Sequence, residues 1–122
     1  MSGGTFFDTG ILVDTLSGDR RAMAEMRRVK HPCISRVSWL EVLSGAPAAA
    51  RDETEAFLGH FACREISAEI ARRAATLRHD RPEIPLPAAL VLATAQEYGA
   101  ILVTRNTKDF PAQMPGIRIP YS

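Results

Sequence analysis

Three acidic residues, Asp8, Glu41 and Asp109, each sit where an apolar strand-like run gives way to a loop or helix. Asp8 directly follows Thr5-Phe6-Phe7. Glu41 lies in the early turns of a helix that follows Cys33-Ile34-Ser35. Asp109 follows Ala100-Ile101-Leu102-Val103-Thr104 after a short loop. In an open parallel sheet, ligands bind beyond the carboxyl ends of the strands, so three acids remote in sequence can meet at one edge. Carboxylates gathered together repel, and a cation keeps them ionised. With oxygen ligands alone the matching metal is hard, Mg²⁺ or Mn²⁺. Such a site suits phosphodiester hydrolysis, in which the metal activates water and stabilises the leaving oxygen. Each acid also has a plainer reading. Asp8 can cap the segment after Gly10, Glu41 can be a solvated helix residue, and Asp109 can be a loop acid.

The elements that must position these acids alternate between strand and helix. Helical patterns are expected over Gly10 to Leu16, Gly18 to Lys30 with Ser17 as N-cap, Val37 to Gly45, Ala48 to Gly59, Ala68 to Leu77 with Ser67 as cap, and Ala88 to Tyr98 with Pro87 at its start and Gly99 closing it. In the second of these, Ala22, Met23, Met26 and Val29 recur at helical spacing and mark a buried face. Glu69 and Arg73 are spaced for an i,i+4 pair. Further strands are expected within Phe61 to Ile66 and at Ile117 to Ile119. This alternation predicts an α/β layered domain with a mostly parallel sheet, one domain over residues 1–122.

Composition narrows the function classes. The chain has 122 residues, 46% of them hydrophobic, with a formal net charge of +1, which excludes a disordered tail, a coiled coil and a highly basic nucleic-acid coat. The cations are skewed, 13 Arg against Lys30 and Lys108. Arg is the residue for bidentate phosphate contacts, although a biased genome gives the same skew. The cysteines Cys33 and Cys63 form no CxxC, and His31, His60 and His79 lack metal-ligand spacing, so a zinc site is not expected. Both cysteines are expected to be buried free thiols. The longest charge-free apolar stretch, Ile84 to Gln96, contains two prolines and is too short for a bilayer span of ~20 residues. The start of the chain lacks the features of a signal peptide. The expectation is a cytoplasmic protein with no membrane partner.

Three segments, in order, carry a family resemblance: Phe6-Phe7-Asp8-Thr9-Gly10-Ile11-Leu12-Val13-Asp14, Ile34-Ser35-Arg36-Val37-Ser38-Trp39-Leu40-Glu41-Val42-Leu43-Ser44-Gly45, and Leu102-Val103-Thr104-Arg105-Asn106-Thr107-Lys108-Asp109-Phe110. Together they resemble a PIN domain, most closely the VapC-type toxins of prokaryotic toxin–antitoxin pairs, over essentially the whole chain. The resemblance implies a three-layer α/β/α sandwich and a Mg²⁺-dependent endoribonuclease. It implies a homodimer inhibited by a cognate antitoxin. Asp8, Glu41 and Asp109 would be three of the family's four acids, with Thr104 and Asn106 supporting the last by hydrogen bonding. The chain departs from the pattern at one place. Where the family has an acid opening the helix before the fourth strand, this sequence reads Ala88-Ala89-Leu90-Val91-Leu92-Ala93-Thr94-Ala95. Three carboxylates still suffice for one Mg²⁺ that keeps several waters, so activity is expected to fall by orders of magnitude while the fold survives.

Arg36 and Arg105 flank the motif residues and are the candidate RNA-binding cations. Arg20, Arg21, Arg27 and Arg28 read more simply as a solvated helix face. Phe57, Leu58 and Phe61 mark core or a groove for an antitoxin helix, and Trp39 core or a dimer contact. Because of Ala88, a non-catalytic PIN module that binds antitoxin or RNA is the alternative. A phosphoacceptor receiver domain also gathers acids at strand ends, but it needs an acidic pair after strand one, and Asp8 has no acidic neighbour.

Overall fold

The computed structural model describes residues 4–122. In chain order it contains β1 (Thr5–Phe7), α1 (Thr9–Leu16), α2 (Arg20–Arg27), β2 (Pro32–Ser35), α3 (Arg36–Ser44), a 3-10 turn (Ala48–Ala50) leading into α4 (Arg51–Leu58), β3 (Ala62–Arg64), α5 (Ala68–Asp80), α6 (Leu86–Glu97), β4 (Ile101–Val103) and β5 (Ile117–Arg118). The strands form one sheet in the order β3-β2-β1-β4-β5, and every pairing is parallel.

Successive strand residues point to opposite faces of a sheet, and here each central strand feeds both. Phe6, Cys33 and Leu102 enter one core with Ile70 and Ala74 of α5 and Leu92 of α6. Phe7, Ile34 and Val103 enter the other with Ile11 and Leu12 of α1, Val42 of α3 and Leu58 of α4. The result is the expected α/β/α sandwich. A sheet covered on both faces needs apolar runs rather than alternation, as the short strands of this sequence supply. Leu58 is buried, while Phe57, Phe61 and Trp39 pack partly buried against the second core. No helix among the described residues is long and apolar enough to cross a membrane.

Several local expectations shift. Helix α2 starts two residues later than Gly18, because the Asp19 carboxylate caps it by accepting from the Arg21 and Ala22 amides, while Gly18 turns the chain at φ +84°. Only Ala22 of its apolar stripe is fully buried, and Met23 is exposed. Ser67 caps α5 by accepting from the Ile70 amide, and the helix runs on to Asp80. Arg73 does not pair with Glu69. It reaches Glu97 of α6 at 3.2 Å, leaving Glu69 to Arg72 at 3.8 Å. Both cysteines are free, Cys33 buried but Cys63 only half-buried.

Candidate active site

The strand order reverses beside β1, with β2 on one flank and β4 on the other. A crevice at such a switch point is where open parallel sheets bind ligands. Asp8 and Thr104 stand there, directly after β1 and β4. The Asp8 amide donates to the Val103 carbonyl at 2.9 Å, extending the pairing by one residue. Asp8 is also the N-cap of α1, and its Oδ1 accepts from the Thr9 amide at 2.8 Å. Asp8 is therefore the cap of α1, and capping aims its carboxylate at the switch point.

The other oxygen, Oδ2, accepts from Thr104 Oγ1 at 2.7 Å. Thr104 is fully buried, and its hydroxyl in turn accepts from the Asn106 amide at 3.0 Å. Asn106 Nδ2 donates to Asp109 Oδ2 at 2.9 Å, and the Asp109 amide donates back to Asn106 Oδ1 at 3.2 Å. One continuous chain of hydrogen bonds thus joins Asp8 to Asp109. Asn106 holds the last acid as expected, whereas the side chain of Thr104 serves the first.

Glu41 approaches from α3. Thr9 Oγ1 lies 2.7 Å from Glu41 Oε1 and 3.1 Å from Ser38 Oγ. A hydroxyl has one proton to give, and the shorter contact to a carboxylate takes it. Ser38 therefore donates to Thr9. Ser35, 3.4 Å away, donates to Ser38 while capping α3 through the Ser38 amide at 3.1 Å. Ser35 and Ser38 are both buried, so this relay fixes Thr9, and Thr9 fixes Glu41. Sequence reasoning missed Thr9 and Ser38. A signal existed, because Ser38 precedes Glu41 by three residues and residues so spaced share a helix face.

Asp8, Glu41 and Asp109 line one cleft of about 520 Å³, together with Ala88, Arg105 and Lys108. The structure brings the three predicted acids to one place and sets Ala88 in the first turn of α6 beside them. Arg36 is not among the cleft residues. Its Nε donates to Glu65 at 3.0 Å and its guanidinium lies 4.7 Å over the Trp39 ring. Lys108, which sequence reasoning did not single out, is at the cleft instead.

Burial pushes the Asp8 carboxyl above the usual carboxylate range. The Glu41 charge adds to that push, while the Thr104 hydroxyl, the Thr9 amide and the Arg105 charge oppose it. A hard divalent cation fits the donor set, which is all carboxylate and hydroxyl oxygen. The three carboxylates do not form a closed cage: among the described residues no group of three His, Cys, Asp or Glu side chains stands close enough to hold one ion. The fit is to a cation that keeps several waters and touches one or two carboxylates, as Mg²⁺ does.

A family model described as PIN domain matches residues 5–113. Among solved structures, the toxin–antitoxin complex from Klebsiella pneumoniae contains a chain 40% identical to this one, with 96% of this chain and 98% of that chain covered and a TM-score of 0.89. FitAcB from Neisseria gonorrhoeae matches at 18% identity over 95% and 97% of the two chains, TM-score 0.81. DNA-bound VapBC from Salmonella typhimurium matches at 19% identity over 97% and 96%, TM-score 0.78. At such identities the last two show the shared fold. A comparison with curated proteins gives no match.

Proposed function

The chain belongs to the PIN domain family, and we propose that it is the toxin of a toxin–antitoxin pair, built as a metal-dependent endoribonuclease whose site is impaired at Ala88. The observation that carries this reading is the hydrogen-bonded chain from Asp8 through Thr104 and Asn106 to Asp109, which lines one cleft together with Glu41. A divalent cation at Asp8 and Glu41 would supply the Lewis acid that activates water and takes up charge on the leaving oxygen. Every other part falls to the chain's own residues. Asp8 and Glu41 provide the carboxylate oxygens, held in place by Thr104 and Thr9. Asp109, locked by Asn106, orients a water in the same cleft. Arg105 and Lys108 attract the phosphate backbone of a single-stranded RNA. The partners in this reading are RNA, a cognate antitoxin, supported by the likeness to the Klebsiella pneumoniae complex, and a second copy of the chain.

Ala88 favours a second reading, a PIN module that binds antitoxin or RNA without cleaving. It places a methyl group where the family pattern has a carboxylate, on the wall of the cleft that Asp8 and Glu41 also line. Metal-dependent cleavage of single-stranded RNA by the chain as it stands, abolished by Asp8→Ala, separates the two. Cleavage supports the nuclease. RNA binding without cleavage supports the module.

A further inference from the structure

Arg105 lies on the rim of the cleft against the start of α1. A Cβ at Gly10 would stand 3.4 Å from its Nε, an ordinary van der Waals distance, so the guanidinium lies directly over the first turn of α1. That guanidinium is not loose. Its Nε donates to Asp14 Oδ2 at 2.7 Å and its Nη2 to Asp14 Oδ1 at 3.3 Å. Asp14, on α1, is only 19% exposed at the side chain while Arg105 is 44% exposed. Asp14 Oδ2 also accepts from the Tyr121 hydroxyl at 2.9 Å. The Tyr121 ring is covered by the Arg21 guanidinium at 4.2 Å, and Arg21 is itself held by Asp19 at 3.0 Å. The segment after β5 thus braces the carboxylate that braces Arg105.

A guanidinium has two edges able to grip an oxyanion with paired donors. Asp14 takes the Nε–Nη2 edge. Among the described residues no acceptor engages Nη1, so the Nη1–Nη2 edge of this half-exposed side chain is left open on an arm held at its other edge. A side chain already held loses less freedom when it binds.

We propose that Asp14 and Tyr121 are positioning residues that hold Arg105 with this outer edge toward a phosphate of single-stranded RNA in the cleft. The proposal rests on the nuclease reading above for its ligand. Tyr121→Phe is the cleanest probe, because it removes one hydroxyl, keeps the ring under Arg21 and changes no charge.

The test is binding of a fluorescently labelled single-stranded RNA oligonucleotide to the full chain in EDTA, followed by anisotropy at several salt concentrations. R105Q is expected to weaken binding about tenfold, the loss of a charge-assisted pair, and to reduce the salt slope by about 0.7. Y121F is expected to weaken binding about threefold through lost preorganisation and to leave the slope unchanged. In the R105Q background, Y121F has no further effect. A chain ending at Pro120 removes the hydroxyl altogether and shows the same coupling. If Y121F weakens binding equally with and without Arg105, or has no effect, the proposal is overturned. It is also overturned if the chain binds RNA and R105Q binds as tightly. If the chain itself binds no RNA, the nuclease reading fails first and takes the proposal with it.

Discussion

Thr104 donates its buried hydroxyl to Asp8 across 96 positions of sequence, at 2.7 Å. The same oxygen accepts from the Asn106 amide, so one side chain satisfies two groups at the switch point of the sheet. Thr104→Val keeps the shape and removes both bonds. It leaves the partly buried Asp8 carboxylate oxygen and the Asn106 N–H without these partners, and an unpaired polar group costs about 1–3 kcal/mol when fully buried. The expected result is a lower denaturant midpoint at neutral pH with an unchanged slope. Thr104→Ser restores most of the loss.

The raised Asp8 pKa sets the sign of a pH effect. The folded state binds the Asp8 proton more tightly than the unfolded chain does. Above the folded pKa the ionised carboxylate therefore detracts from stability, and that penalty disappears as pH falls through the folded pKa toward the ordinary value of 3.8. Asp8→Asn is expected to raise the melting temperature at neutral pH, since the Thr104 hydroxyl can accept from an amide as well as donate. The advantage shrinks on acidification. A gain independent of pH contradicts burial of an ionised Asp8 as its source.

Glu41 is exposed and depends on Thr9 for its orientation. Removing a supporting partner of a metal ligand costs about 10–100-fold in metal affinity. Thr9→Val is expected to weaken Mn²⁺ binding, followed by calorimetry, by about tenfold. Ser38→Ala is expected to weaken it less, because Thr9 keeps its bond to Glu41. Equal affinity in Thr9→Val and the parent chain means that Glu41 does not contribute to cation binding.

The acids were readable from sequence because a parallel sheet sends every strand's carboxyl end to one edge, whatever the side chains between. Asp8 and Asp109 needed only the strand assignments. Glu41 needed the additional fact that a helix after a strand starts at that same edge. Arg36 lies off the cleft for a geometric reason. It stands five residues before Glu41 on α3, and five residues turn about 140° around a helix, so it points toward Glu65 and not toward the cleft. Ser38, three residues before Glu41, lies on the correct face. The Thr104–Asp8 and Asp14–Tyr121 bonds span 96 and 107 positions, and no local pattern encodes such contacts. Helix α2 shows how small the local margins are: Ser17 and Asp19 are both good caps, and the positive φ of Gly18 gives the helix to Asp19.

Ala88 stands in the first turn of α6, on the cleft wall. A carboxylate there would gain from the helix N-terminus and join Asp8 and Glu41 in lining the cleft. The most direct measurement is Mg²⁺- and Mn²⁺-dependent cleavage of single-stranded RNA by the chain, by Ala88→Asp and by Asp8→Ala. The expected result is a rate in Ala88→Asp at least about a hundredfold above the parent, about 2.7 kcal/mol of barrier, with Asp8→Ala inactive in either background. Cleavage that survives Asp8→Ala, or silence of a folded Ala88→Asp chain with both metals, contradicts the nuclease site described above.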